Sequence, residues 1–165
     1  MKQRVFSLLV ENEAGVLSRI AGLFSRRGYN IDSLTVGETA DPRYSRMTVV
    51  VNGDDKILDQ ITKQLAKLVD VVDIKPLADN ESVSRELVLV KVRADGQNRQ
   101  AIIGITDIFR AKIIDVGIDS LIIELTGNQS KIDAFIRLLE GYEILELART
   151  GITGLSRGAE DVRYL

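Results

Sequence analysis

Apolar positions in this chain alternate between a period of two and a period near 3.6, and the order of those stretches repeats between its halves. Gln3 to Val10 is rich in Val, Phe and Leu and runs into the polar cluster Glu11-Asn12-Glu13, which predicts a buried strand followed by a loop. Val16, Leu17, Ile20, Ala21 and Phe24 then recur at helical spacing opposite Ser18, Arg19, Ser25 and Arg26, until Gly28 ends the run. Ile31 to Val36 predicts a second strand, and Asp41-Pro42 marks a connection. Met47, Val49 and Val51 alternate with Arg46, Thr48 and Val50 in a third strand, forming a hairpin with the second. Asn52-Gly53-Asp54 punctuates and caps, Ile57, Leu58, Ile61, Leu65 and Leu68 share one helical stripe, and Val69 to Leu77 closes the unit. Pro76 marks that last strand as an edge or a strand end.

The second half follows the same order. Leu87 to Val92 predicts a strand, and Ala101, Ile102, Ile105 and Phe109 a helix. Lys112 to Val116 and Leu121 to Leu125 are paired strands around Gly117-Ile118-Asp119-Ser120. Ile132, Phe135, Ile136 and Leu139 share a helical face that Gly141 ends, and Ile144 to Ala148 is strand-like. The polar stretch Ala78-Asp79-Asn80-Glu81-Ser82 has no hydrophobic period and is the natural boundary. The expected fold class is α+β: two tandem βαββαβ ferredoxin-like units over 1–78 and 79–165, the second ending in a glycine-rich tail. Units of roughly 75 residues are marginal alone, so further burial is expected from packing of the halves or from pairing between chains. In the usual order of this topology Ile31 to Val36 is an edge strand without a Lys or Pro guard. It invites a partner strand, unless the hairpin or a loop covers it.

Composition narrows the chemistry. The 165 residues are 45% hydrophobic and 28% charged, an ordinary globular balance. A formal net charge of -2 supplies no global field for a phosphate backbone, so nucleic acid is a poor partner. Cysteine is absent, which removes disulfides and thiolate chemistry and is compatible with a reducing cytoplasm. Histidine is absent too, which excludes Ser-His-Asp catalysis and a histidine-held zinc. No apolar run approaches the roughly 20 residues that span a bilayer, and Met1-Lys2-Gln3-Arg4-Val5 leads into a strand pattern rather than a signal peptide. The expectation is a cytoplasmic protein with no metal site and no membrane partner, in which only carboxylates, Lys, Tyr, Ser or Thr are left as possible catalysts.

The loop Glu11-Asn12-Glu13-Ala14-Gly15-Val16-Leu17 joins the first strand to the first helix, setting free N–H groups and the positive end of a helix dipole beside the Asn12 amide. A small carboxylate suits that position. Gly15 removes a Cβ that would block close approach, and Asn30, after the Gly28-Tyr29 turn, offers an amide to an ammonium group. Pattern alone also allows a plainer account, in which Asn12 and Gly15 shape a tight turn and Asn30 caps a strand.

The segments Glu11 to Arg19 and Leu23 to Leu34 resemble the amino-acid-binding ACT domain. Asp41-Pro42, Ser45-Arg46-Met47-Thr48 and Gln64 to Val71 resemble, more specifically, the regulatory small subunit of acetolactate synthase, or acetohydroxyacid synthase. So do Arg85-Glu86-Leu87, Ile108 to Val116, Thr126-Gly127, Lys131 to Phe135 and Ala148-Arg149-Thr150-Gly151, so the likeness covers nearly the whole chain. It implies a non-catalytic partner of the large, thiamine-diphosphate-dependent catalytic subunit in branched-chain amino-acid synthesis. That partner raises the activity of the large subunit and confers feedback inhibition by valine, with leucine or isoleucine also recognised. Thiamine diphosphate, Mg and FAD are then expected on the catalytic subunit and no cofactor on this chain. The implied effector site comprises Asn12, Ala14, Gly15, Val16 and Leu17, with Asn30 and Ile31 supplied by a neighbouring chain in a homodimer of ACT domains.

Glu38 and Asn98-Arg99-Gln100-Ala101 depart from the family pattern, which bears on loop shape and on the second unit only. Three rival readings remain. An acylphosphatase needs a phosphate-cradling first loop, but Glu11 and Glu13 repel phosphate; an RNA-binding sheet needs exposed aromatics, and aromatic residues are only 5%. A free-standing tandem ACT sensor with a different partner is the third. The tail from Arg149 to Gly158 is expected either to order only against the catalytic subunit or to be untethered. Tyr29, Tyr44 and Tyr142 are read as packing or interface residues, and Asp54-Asp55 as a helix cap.

Overall fold

The structure is a computed structural model that describes residues 1–159; Tyr164 and the end of the expected second domain lie outside them. The chain makes two βαββαβ passes. The first runs β1 (Lys2–Glu11), α1 (Val16–Arg27), β2 (Ile31–Glu38), β3 (Tyr44–Gly53), α2 (Asp55–Ala66) and β4 (Val71–Pro76). The second runs β5 (Ser82–Arg93), α3 (Arg99–Ile108), β6 (Lys112–Val116), β7 (Ser120–Gly127), α4 (Gln129–Leu139) and β8 (Ile144–Arg149), after which comes a short β9 (Thr153–Ser156). The sheet orders are β2-β3-β1-β4 and β6-β7-β5-β8, with β9 added to β5. The antiparallel registers are continuous along β1 and β3, from Lys2 opposite Gly53 to Glu11 opposite Tyr44. The tandem ferredoxin-like expectation therefore describes the fold, and Ile31 to Val36 lies in the edge strand β2.

In the first unit Phe6, Leu8 and Val10 of β1 and Met47, Val49 and Val51 of β3 pack against Val16, Ile20, Leu23 and Phe24 of α1 and Leu58, Ile61 and Leu65 of α2. Each helix carries its apolar residues three and four apart, so one stripe meets the sheet. Gly28, at φ 69, ends α1 in the left-handed region with its N–H on Ser25 O, as the expected stop requires. Asp54 caps α2 by accepting from Ile57 N–H at 2.8 Å. The helix ends at Ala66, two residues short of the end of the expected stripe, but Leu68 still packs against the core.

The alternation in β3 predicts one buried and one solvated face, but Thr48 and Val50 are as buried as Val49. At Thr48 the far end of the sequence is involved. The chain divides into a unit of Met1–Ser84 with the segment that begins at Ile152, and a unit of Arg85–Gly151. The boundary thus differs from the expected 1–78 and 79–165, because the residues after Ile152 return to the first unit. Thr35 Oγ1 donates to Ile152 O at 3.2 Å, and Gly154 N–H donates to Thr48 Oγ1 at 3.2 Å. Arg157 N–H reaches Glu81 O at 2.7 Å, which extends β5 back to Ser82. Ser7, Leu9, Thr48 and Val50 on this helix-free face are each no more than 1% exposed. The tail that was expected to hang free or to await a partner is, through Ser156, a strand of the first unit.

The second unit repeats the packing. Val88, Val90 and Val92 meet Leu121, Ile123 and Leu125 across the sheet and Ile102, Ile132, Phe135 and Leu139 from the helices. Phe109 and Phe135 meet edge to face at 5.3 Å. Buried Glu86 takes two hydrogen bonds of 2.8 Å from Arg149, whose third nitrogen lies 2.8 Å from Asp133. Among the described residues no helix is long and apolar enough to cross a membrane.

A Cβ at Gly154 would stand 2.9 Å from Ser84 Oγ, 3.0 Å from Leu77 Cδ1 and 3.1 Å from Val83 O, so the strap fits only without a side chain there. Gly154→Val is expected to cost about 1–3 kcal/mol by overpacking. Urea unfolding checks this; an unchanged midpoint would show that β9 does not contribute to stability.

Candidate functional site

The loop between β1 and α1 is built by three local constraints. Asn12 N–H donates to Arg43 O at 2.8 Å and its side-chain Nδ2 to Pro42 O at 2.9 Å, which ties the end of β1 to the β2–β3 connection. Gly15 takes φ 88, a conformation that costs other residues strain, and stands at the N-cap of α1. Val16 is 3% exposed and part of the core, so its side chain anchors the helix and only its backbone is available to a ligand. Ala14 is exposed and Leu17 is 47% exposed, presenting an apolar surface beside the helix end.

No side chain caps α1 and its first turn contains no acid, while Arg26 and Arg27 occupy its last turn. Helices α2 and α4 are treated differently, whereas α3 also has no side-chain cap and no acid in its first turn. Asp54 caps α2, and Asn128 caps α4 by accepting from Lys131 N–H at 2.9 Å. In the second unit the equivalent loop supplies its own carboxylate: Asp95 accepts from Gln97 N–H at 2.9 Å and Asn98 N–H at 3.1 Å, and Asn98 Oδ1 accepts from Asp95 N–H. The departure at Asn98 to Ala101 from the family pattern thus coincides with a loop satisfied from within.

A cation missed from the sequence adjoins the first loop. Arg19, assigned there to the solvent face of the helix, makes a two-pronged ion pair with Asp70, with Nε at 2.5 Å from Oδ2 and Nη2 at 3.1 Å from Oδ1. Asp70 is 8% exposed, and its backbone O accepts from Glu11 N–H at 2.9 Å. The signal that could have found it is an arginine in the first turn of a helix that has neither a cap nor an acid there.

Asn30 and Ile31 lie elsewhere. Ile31 pairs with Val51 near one end of β3, whereas Glu38 pairs with Ser45, and Glu11 with Tyr44, at the other. Seven residues of strand separate these ends by roughly 23 Å. Asn30 Nδ2 reaches Asp32 Oδ1 at 3.4 Å, and Asp32 also receives Asn52 Nδ2. Asn12, Ala14, Gly15, Val16 and Leu17 therefore share one end of the first sheet, and Asn30 and Ile31 of the same chain share the opposite end. Tyr29 reaches Gln60 Oε1 at 3.0 Å, and Arg43 lies over the Tyr44 ring at 5.5 Å. Among the described residues no group of three His, Cys, Asp or Glu side chains could hold a metal ion.

A family model described as "AHAS small subunit-like ACT domain" matches residues 6–73, and one described as "Small subunit of acetolactate synthase" matches residues 85–158. The chain belongs to the acetolactate synthase small-subunit family. This small subunit is 50% identical to the acetolactate synthase small subunit of Mycobacterium bovis over 161 residues, 98% of this chain and 96% of that one. It is 49% identical to the acetolactate synthase isozyme 3 small subunit of Escherichia coli, over 98% of this chain and 99% of that one. The crystal structure of the small subunit from Thermotoga maritima superposes with a TM-score of 0.89 at 46% identity, covering 96% of this chain and 99% of that one. The family is that of a non-catalytic subunit with an ACT-type regulatory domain.

The hydrogen bonds from Arg19 hold the Asp70 carboxyl below the usual carboxylate range, against the opposing effect of its burial. A carboxyl lowered on folding adds stability above its unfolded value of about 4, and that stability is lost as pH falls through the lowered value. Asp70→Asn is therefore expected to be less stable than the wild type near neutral pH and to approach it in acid. Unfolding followed from about pH 6 down to pH 2 tests this; parallel curves would show that the pair contributes no pH-dependent stability.

Proposed function

We propose that this small subunit activates the catalytic subunit of acetolactate synthase and makes it subject to feedback inhibition by valine, with leucine and isoleucine also recognised. It does so in the cytoplasm as a homodimer of ACT domains. The catalytic subunit carries thiamine diphosphate, Mg and FAD, and this chain carries none of them. The observation that supports the dimer best is the separation of the two halves of the expected site. If β2 pairs antiparallel with β2 of a second copy about a two-fold axis near Leu34 and Thr35, Asn30 and Ile31 of one protomer come alongside Val36 to Glu38 of the other. Glu38 of β2 pairs with Ser45 of β3, at the same end of the sheet as the Asn12 loop. One dimer then contains two complete sites.

In such a site the N–H groups at the start of α1 take the effector's carboxylate, and the Asn30 amide oxygen of the partner takes its ammonium group. Leu17 and the partner's Ile31 flank the branched side chain. Effectors that differ by a methylene are separated by only about 1–3 kcal/mol in such a pocket, which accounts for overlapping recognition. Inhibition requires the ligand to favour one dimer arrangement over another, and the two arrangements to hold the catalytic subunit differently.

Calorimetry with valine and reconstitution with the catalytic subunit test the reading together. Gly15→Asp places a carboxylate at a left-handed position beside Arg19, and is expected to abolish valine inhibition of the reconstituted synthase while the chain remains a folded dimer by sedimentation. Retained inhibition would place the effector elsewhere. Val36→Lys, on the open edge, is expected to shift the sedimentation coefficient toward the monomer; an unchanged dimer would remove β2 from the interface.

A further inference from the structure

Arg19 is placed where helix electrostatics oppose it. A positive charge in the first turn of a helix faces the positive end of the dipole, and α1 has no acid there to offset it. Asp70 provides part of the compensation by engaging Nε and Nη2, and Asp70 is itself fixed by its burial and by the Glu11 N–H on its backbone oxygen. The third nitrogen, Nη1, has no hydrogen-bond partner among the described residues. It lies across the side-chain direction of Gly15, 2.9 Å from where a Cβ would stand, and the Arg19 side chain remains 50% exposed. Glu13 is the other acid whose charge falls on Arg19, but it makes no ion pair with it. The second unit shows what the same loop of the same topology accommodates: there the Asp95 carboxylate takes the N–H groups at the corresponding position.

We propose that Arg19, held by Asp70, is the residue that reads the carboxylate of the effector, with Asp70 as its positioning residue. This rests on the effector site proposed above and adds to it the charge that distinguishes an amino acid from its amide. An arginine anchored by two of its nitrogens presents the remaining one at little entropic cost, which a mobile lysine would not do. Gly15 then has two roles, since a side chain there would displace both the ligand and the guanidinium.

The test compares L-valine with L-valinamide by NMR titration of the full chain, using the wild type, Asp70→Asn and the double variant Arg19→Met/Asp70→Asn. The double variant avoids stranding a buried carboxylate, so loss of folding does not confuse the result. In the wild type valine is expected to bind about tenfold more tightly than valinamide, the effect of one charge-assisted hydrogen bond. In the double variant valine is expected to weaken by about that factor while valinamide changes less than about twofold, so the preference disappears. Asp70→Asn is expected to fall between them. If the double variant weakens both ligands in proportion, or keeps the preference, Arg19 has only a structural role and the inference is overturned. If the wild type binds no valine, the effector reading itself fails, and this inference with it.

Discussion

The unpaired side of β2 is the constraint from which the rest of this molecule follows. A strand at the end of a sheet has peptide groups on its outer side that only water or another strand can satisfy. Among the described residues β2 has β3 as its only strand neighbour, and it carries no lysine or proline to deter pairing. The same strand begins beside Asn30 and finishes level with the loop that contains Asn12 and Gly15. An antiparallel partner on that edge is the simplest operation that reunites the two groups, because a two-fold axis exchanges the ends of a strand. Dimerisation and ligand recognition would then be one event, in which the ligand's polar ends are held by different protomers.

The two units share a topology and differ where a ligand would matter. In the second, Asp95 and Asn98 bond to each other, the Asp95 carboxylate takes the Gln97 and Asn98 N–H groups of the loop ahead of α3, and Arg99 donates to the carbonyls of Ala94, Gly117 and Ile118, which closes that end of the unit. In the first, the start of α1 is left uncapped and a cation is held over a glycine. An internal carboxylate and an external ligand are alternative ways to satisfy the N–H groups of such a loop. A fold repeated within one chain can thus assign one copy to recognition and leave the other a closed scaffold.

Much of this was legible from sequence because the relevant signals are local. Helical spacing from Val16 to Phe24, the stop at Gly28 and the cap at Asp54 each depend on neighbours a few residues away, and each is found in the structure. The Asn12–Gly15 loop was legible for the same reason. What escaped was non-local. Thr48 and Val50 alternate as a solvated face should, yet both are buried, and Thr48 is bonded by a residue about a hundred positions later, which no window on β3 contains. The Arg19–Asp70 pair spans fifty-one positions, so the helix itself shows only a cation at an unfavourable place and not which residue compensates it. The domain boundary moved to Arg85 for a related reason: the stretch Ala78 to Ser82 has no hydrophobic period, but its end is held by the returning strap.

That strap bears on how a signal could leave the site. Thr35 lies in the middle of β2, and its hydroxyl is bonded to the carbonyl of Ile152; Thr48, its register partner on β3, accepts from Gly154. The edge strand and its neighbour β3 are therefore both hydrogen-bonded to the C-terminal segment, and Thr48 under that segment is buried. Tightly packed layers do not deform continuously, so a displacement of β2 on pairing or on ligand binding would be shared with the segment laid across it. The chain leaves the second unit at Gly151 and enters the strap at Ile152, one residue on. Covalent connectivity alone thus places the reporter of the edge strand next to the end of β8, where Arg149 is fixed by buried Glu86. A route of that kind needs no contact at a distance: it requires only that the strap move as a unit with the strand it covers.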